Sequence, residues 1–198
     1  MKKLLLTLII LSISSSIFAQ TQQIGTYPMG WLRKPGYISV SDIRKQNFTV
    51  NIQVEAMYDF TNAWISVRSR DLDRFVRFLT QVRDKYAEWS ETAKTNNVTN
   101  TSVLMDFWSP RIRTSWQVGT SSFFNDYKIR AKFMVLRDGS PIIDFSFTAT
   151  HITNRFIKEE IKWAFLLPSQ LDELISQLDP GAIRKKVQKA GDNRELFR

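Results

Sequence analysis

The chain of 198 residues contains no cysteine and only one histidine, His151. Without cysteine there are no disulfide frameworks, thiol nucleophiles, iron–sulfur clusters or cysteine-ligated zinc sites. A single histidine also excludes zinc motifs that need two, such as H-E-x-x-H. The seven glycines form neither a P-loop nor a G-x-G-x-x-G turn. The sequence therefore predicts no metal, no cofactor and no catalytic residues that a motif would reveal.

What the chain does contain is a globular composition with a basic balance. Hydrophobic residues make up 43% and aromatic residues 13%, which is enough for a sizeable core. Lysine and arginine number 28 against 19 acidic residues, a net charge of +9. Residues 181–198 hold six basic residues against Asp192 and Glu195, so much of the positive charge lies in this C-terminal tail.

Residues 1–19 are typical of a bacterial secretory signal peptide. Lys2 and Lys3 precede an apolar run over residues 4–13, and Ala19 ends the segment in front of Gln20. The run is about half the roughly 20 residues that a membrane-spanning helix needs. We therefore expect cleavage before Gln20, no transmembrane segment in the mature chain, and export to the periplasm or the medium.

Hydrophobic spacing predicts a first strand–helix unit over residues 37–94. The glycines and prolines of residues 20–36 predict an irregular lead-in. Alternation over residues 48–56 and 63–68 predicts two strands, and spacings of three and four over residues 71–94 predict a long helix.

A second unit is predicted over residues 102–180. Strands are expected at residues 103–108, 111–118, 127–136, 142–151 and 156–167, with a tight hairpin turn at Asp138-Gly139. Pro168 and Ser169 then open a shorter helix. In the tail only Ile183 and Val187 are spaced as apolar anchors, so we expect a marginal, mainly solvated helix or disorder there.

The two units superpose at a shift of 99 residues. This shift pairs Phe48 with Phe147, Trp64 with Trp163 and Leu72 with Leu171. The predicted fold class is therefore α+β, with two pseudo-repeated units of antiparallel strands followed by one helix, packed as a single body.

Strands followed by one helix, repeated twice, resemble the architecture of the Whirly, PC4 and PUR-repeat group. The segment from Ala164 to Leu171, AFLLPSQL, is similar to the way such repeats pass from their last strand into the helix. The resemblance covers roughly residues 37–180 and rests on element order, since no family motif is present. It implies a protein that binds single-stranded nucleic acid, and it assigns no functional residue.

Cations alternate with apolar residues on three predicted strands, which predicts a basic sheet face if the strands are neighbours. The seven cations are Arg111, Arg113, Lys128, Arg130, Lys132, Lys158 and Lys162. Such a face attracts polyanions. Four aromatic residues near strand ends are candidates for stacking on bases or sugars, namely Trp108, Phe123, Phe124 and Tyr127. The alternative is that the cations are an ordinary solvated face and the aromatics fill the core.

Other candidate chemistry is sparse. His151 ends a strand at the margin of its apolar face, and no G-x-S-x-G turn exists to supply a serine nucleophile. Glu55 and Asp144 lie on the polar faces of their strands and are the candidates for paired acid–base work on a glycan.

These observations favour a non-enzymatic, exported binding or envelope-associated protein with an acidic or polymeric partner. The first alternative is a Whirly- or PUR-like single-strand binder. The second is a carboxylate-dependent glycan hydrolase, which requires that Glu55→Gln and Asp144→Asn variants lose activity on a glycan panel. The oligomeric state is left open.

Overall fold

The computed structural model describes residues 21–29, 35–44, 47–56, 62–118 and 120–195. It confirms the α+β class, with antiparallel sheets and helices in one chain. The predicted signal peptide lies outside the described residues. Within those residues no helix is both long enough and apolar enough to cross a membrane.

Twelve strands and three α-helices are present in the described part of the chain. The strands are β1 (Gln22–Pro28), β2 (Pro35–Arg44), β3 (Asn47–Ala56), β4 (Asn62–Arg68), β5 (Thr101–Trp108), β6 (Ile112–Val118), β7 (Ser121–Tyr127), β8 (Arg130–Val135), β9 (Pro141–Asp144), β10 (Phe147–Thr150), β11 (Lys158–Lys162) and β12 (Ala164–Phe165). The helices are α1 (Leu72–Thr95), which follows a 3₁₀ turn at Ser69–Asp71, α2 (Pro168–Gln177) and α3 (Pro180–Glu195).

The larger sheet has eight strands and is centred on β3. Its main path runs β1-β2-β3-β4-β6-β7, and every neighbouring pair is antiparallel. β11 pairs with the end of β3, and β10 pairs with β11. β10 also meets β7, where the Tyr127 hydroxyl donates a hydrogen bond of 2.9 Å to the Thr150 carbonyl. The sheet therefore curls back on itself around part of the core.

The smaller sheet has four antiparallel strands in the order β12-β9-β8-β5. Its central hairpin, β8–β9, turns at Asp138-Gly139 as predicted, with Gly139 at φ +83°. Only glycine adopts this left-handed conformation without strain from a Cβ atom. β8 and β9 are therefore neighbours both along the chain and in the sheet.

Aromatic side chains join the two sheets and the helices into one core. Trp163, between β11 and β12, is 2% exposed. Its ring lies 4.7 Å from that of Phe145, 5.8 Å from that of Phe165 and 6.4 Å from that of Phe75 on α1. Ring pairs at these separations add specific attraction to the burial of a large apolar area. The short step from one sheet to the other is thus the centre of the core.

Helices α1 and α2 cover the core side of the sheets. The apolar stripe of α1 is buried against β4 and against three strands of the smaller sheet, and α2 packs on α1 and β1. The opposite side of the larger sheet carries half-buried and exposed side chains such as Asn51, Ser66 and Arg113. We call this opposite side the outer face.

The tail is helical rather than disordered. Residues 180–195 form α3, whose expected anchors Ile183 and Val187 are buried while most of its other described side chains are exposed, as expected for a mainly solvated helix. An ion pair of 2.6 Å joins Arg184 to Asp73 of α1, and Lys186 donates to the Ile24 carbonyl. Two apolar anchors suffice because tertiary packing, rather than intrinsic propensity, supplies most helix stability.

The lead-in is also more regular than predicted, since β1 and part of β2 occupy it. Gly36 lies opposite Tyr27, whose buried ring covers it, and a Cβ at Gly36 would stand 2.5 Å from that ring. The Tyr27 hydroxyl donates to the Gln53 carbonyl of β3, and burial raises its pKa above the ordinary value. Here glycine marks a close approach between strands rather than a loop.

The proposed repeat at a shift of 99 residues is not confirmed. Trp64 is half-buried on the outer face, whereas its partner Trp163 is buried among aromatic rings in the core. The two tryptophans therefore occupy different environments, and this residue pairing does not describe the fold.

We expect Trp163→Ala to lower the free energy of unfolding by about 3–5 kcal/mol, because a large buried ring is lost and a cavity remains. The matched control is Trp108→Ala. Trp108 is 56% exposed, so this change should cost less than about 1 kcal/mol. Urea denaturation measures both values, and equal losses would contradict the central position of Trp163.

Candidate functional site

The outer face holds a pocket of about 200 Å³ at the ends of β3, β4 and β6. Its lining is polar and charged apart from Ile112. The residues are Asp42, Thr49, Asn51, Ser66, Arg68, Arg70, Asp71, Arg111, Ile112, Arg113 and Asp126. We call this the arginine pocket, because four arginines line it.

Strand register explains how these residues meet. Asn51 of β3 lies opposite Ser66 of β4, Ser66 lies opposite Arg113 of β6, and Arg113 lies opposite Asp126 of β7. Neighbouring strands are about 4.8 Å apart. One row across four strands thus forms the floor, and the segments before β6 and after β4 bring Arg111 and Arg70 to its rim.

The arginines differ in their partners. Arg113 pairs with Asp126 at 3.1 Å, and Arg70 pairs with Asp71 at 3.5 Å. Asp71 is almost buried and also pairs with Arg74. Arg68 and Arg111 are exposed and have no ion-pair partner among the described residues. The pocket therefore contains two guanidinium groups that are available to an anion.

The floor of the pocket is held by side-chain hydrogen bonds. The Ser66 hydroxyl donates to the Asn51 side-chain carbonyl at 2.7 Å, and the Asn51 amide donates to the Ser41 hydroxyl at 3.0 Å. Asp42 follows at a bulge of β2, where its φ of +55° carries it to the rim. Strands and their hydrogen bonds thus hold the pocket, which favours a preformed site.

The seven predicted cations do not lie on three neighbouring strands, because β6 and β11 are not paired within the larger sheet and β8 belongs to the smaller sheet. Arg111 and Arg113 line the arginine pocket, whereas Arg130 and Lys132 lie on β8 of the smaller sheet. Lys128 is exposed between β7 and β8. Lys158 and Lys162 lie on β11, where Lys162 pairs with Glu160 at 3.0 Å. The premise that these strands are neighbours is therefore wrong.

The four predicted aromatic residues also separate. Phe124 is 42% exposed on the outer face, with the Arg113 guanidinium 4.9 Å from its ring centre. Trp108 lies on β5 of the smaller sheet under Arg130. Phe123 packs on Trp116, and the Tyr127 ring lies 5.1 Å from that of Phe147. Only Phe124 belongs to the surface that contains the arginine pocket.

The candidate catalytic groups lie outside the pocket. His151 has its ring edge-on to Phe123 at 5.3 Å, as expected for a packing residue. Glu55 lies on β3 opposite Lys162, while Asp144 of the smaller sheet pairs with Lys132 at 3.1 Å. The structure places these two carboxylates in different sheets. Among the described residues no cluster of His, Asp and Glu has the form of a metal site.

The prediction missed most of the pocket, including Asn51, Ser66, Arg68 and Arg70. These residues follow the polar phase of the β3 and β4 alternation and the turn after it. Their pattern marks a solvent-facing side and nothing more. The missing information was the pairing of β4 with β6 across helix α1, which no local pattern contains.

No protein-family model matches the chain, and no curated protein or solved structure resembles it significantly.

Replacing the two unpaired arginines should leave stability almost unchanged. We expect Arg68→Met and Arg111→Met each to alter the free energy of unfolding by less than about 0.5 kcal/mol, since no ion pair is lost. Asp71→Asn, in the same pocket, should cost about 1–3 kcal/mol, because an almost buried carboxylate loses its charged hydrogen bonds. Urea denaturation tests both, and a large loss in the arginine variants would assign them a structural role.

Proposed function

We propose that this chain is an exported, non-enzymatic binding or envelope-associated protein whose outer face holds an anionic, polymeric partner. The observation that carries the proposal is the arginine pocket. Four arginines converge there, and Arg68 and Arg111 have no ion-pair partner among the described residues. Four arginines face three aspartates in the lining, so the positive charge exceeds the negative charge. An excess of like charge in one place costs stability, so this convergence supports a role in binding.

The residue type favours carboxylate, sulfate or phosphate groups. The planar guanidinium presents a fork of donors that matches such oxyanions in bidentate geometry. Asp71 and Asp126 are already paired with arginines, and the exposed Asp42 at the rim opposes the two remaining guanidinium groups, so an excess of one positive charge remains in the lining. The pocket therefore supports recognition of one acidic group.

The pocket volume supports a partner larger than the pocket. Sites for whole small molecules usually measure about 300–1,000 Å³, against about 200 Å³ here. The pocket opens on the outer face, which continues across the strands of the larger sheet. A polymer with one acidic group in the pocket and its neighbouring units along the sheet fits this arrangement.

Export remains part of the proposal and rests on residues 1–19. A mature chain without cysteine draws no stability from disulfides. Its aromatic core must therefore stabilise the fold outside the cell. Envelope polysaccharides and other acidic polymers are partners that such a location offers.

A second candidate is single-stranded nucleic acid, and the chain order of the strands favours it. In the larger sheet β1, β2, β3 and β4 are consecutive neighbours and lead into α1. In the smaller sheet β5, β8, β9 and β12 are neighbours in their chain order, and β12 leads into α2. Two units of four strands and one helix, with hairpins inserted in the second, support the resemblance in element order to the Whirly and PUR-repeat group, although the residue pairing at a shift of 99 does not hold.

Binding should depend on salt and on the arginine pocket. We expect the full chain to bind hyaluronan at low salt, and the double variant Arg68→Met/Arg111→Met to bind at least about tenfold more weakly, because two charge-assisted contacts are lost. For a single-stranded thymidine oligonucleotide, the salt slope of the same variant should fall by about 1.4. Fluorescence anisotropy with labelled polymers measures both.

The matched control is Arg130→Met/Lys132→Met, which removes the same charge from the smaller sheet. If this control loses as much affinity as the pocket variant, binding follows net charge and the site is misplaced. If the wild-type chain binds neither polymer at low salt, the proposed function is wrong.

A further inference from the structure

We infer that the outer face binds an extended, β-linked acidic polysaccharide that runs across the strands, with acidic and neutral sugars in alternation. This inference rests on the proposed function and names the polymer class. It depends on a line of residues beside the arginine pocket, which we call the aromatic row: Tyr37, Gln53, Trp64, Ser115 and Phe124.

Strand register places the five residues in line. Gln53 of β3 lies opposite Trp64 of β4, Trp64 opposite Ser115 of β6, and Ser115 opposite Phe124 of β7. The backbone N–H of Tyr37 on β2 donates to the Gln53 side chain at 3.2 Å, which extends the row to a fifth strand.

All five side chains belong to the outer face, because the residues beside them in each strand point into the core. Ile38, Val54 and Ile65, for example, are fully or almost fully buried. Tyr37 is 44% exposed and Phe124 42%, while Trp64 is half-buried. Exposed aromatic rings at regular intervals are unusual on a solvated sheet face, because contact between apolar surface and water is unfavourable.

The spacing of the row fits sugar rings. Neighbouring strands lie about 4.8 Å apart, and one β-linked pyranose ring advances an extended polysaccharide by about the same distance. Aromatic and polar residues alternate from strand to strand. A polymer across the strands would thus stack every second ring on Tyr37, Trp64 or Phe124 and present the intervening rings to the Gln53 amide and the Ser115 hydroxyl.

Arginines lie beside one end of the row, and the lysine described beside the other end, Lys162 opposite Glu55, is paired with Glu160. This distribution favours alternating charge over a charge on every unit. Arg113 stands two residues from Ser115 on β6, and its guanidinium lies over the Phe124 ring. The described outer-face side chains of β2 and β3 beside Tyr37 and Gln53 include no lysine or arginine; they are Ser39, Ser41, Thr49, Asn51 and Glu55. A phosphate on every unit would leave negative charges uncompensated there, whereas neutral sugars would not.

The experiment measures binding of the full-length chain to hyaluronan oligosaccharides, which are β-linked and alternate glucuronate with N-acetylglucosamine. We expect affinity to rise from the tetrasaccharide to the hexasaccharide, as more of the row is covered. Trp64→Ala and Tyr37→Ala should each weaken hexasaccharide binding about tenfold, because each removes apolar surface that a sugar ring covers. Trp64→Phe should retain most of the affinity.

Trp108→Ala is the matched control, since Trp108 is also exposed and also lies under an arginine, but in the smaller sheet. It should bind the hexasaccharide like the wild type. Thermal unfolding of each variant tests whether a loss of binding is a loss of folding. Tyr37 is exposed, so Tyr37→Ala is expected to disturb the fold less than Trp64→Ala.

Three results would overturn the inference. Wild-type affinity in Trp64→Ala and Tyr37→Ala, with loss only in Arg68→Met/Arg111→Met, would refute the row and leave the proposed function intact. Tighter binding of the thymidine oligonucleotide than of the hexasaccharide, lost in Trp64→Ala, would replace the polysaccharide with single-stranded nucleic acid. Binding of neither polymer would refute the proposed function together with the inference.

Discussion

Strict alternation along β3 is the constraint on which the rest of the structure depends. Phe48, Val50, Ile52, Val54 and Ala56 face the core, and the residues between them form the outer face. β3 pairs with β2, β4 and β11, so its phase sets the phase of the strands around it. A slip of one residue would bury the polar side and expose the core. The same alternation therefore supports both the folding of the sheet and the candidate site.

The core and the site are coupled through Tyr27 and Trp163 rather than through disulfides. The Tyr27 hydroxyl reaches the backbone of Gln53, directly beneath the aromatic row. Trp163 joins the two sheets where the chain leaves β11 for β12. Rigid strands with buried anchors hold surface side chains more precisely than loops do. The outer face is accordingly a preformed surface, and such a surface would lower the ordering cost of the proposed polymer binding.

Sequence patterns predicted the elements whose stability is local. The long helix α1, the strands β3 and β4 and the turn at Asp138-Gly139 were all expected from spacing and turn chemistry. β1 was not expected, and α3 was expected only as a marginal helix or as disorder, because Gly25, Gly36 and the polar tail look irregular until they pack against Gln177, Tyr27 and the core. The premise that the cation-bearing strands are neighbours was wrong for the same reason. Arg113 and Lys132 have similar local patterns but lie in different sheets.

By itself the sequence determined which side chains share a face of each strand, how the charge is distributed and which catalytic chemistries are excluded. Tertiary structure alone decided which faces meet. Arg68 and Arg111 lie on either side of helix α1 in the chain, and only the pairing of β4 with β6 brings them to one pocket. Periodicity depends on residues two to four positions apart, whereas strand pairing depends on the core that distant segments bury together.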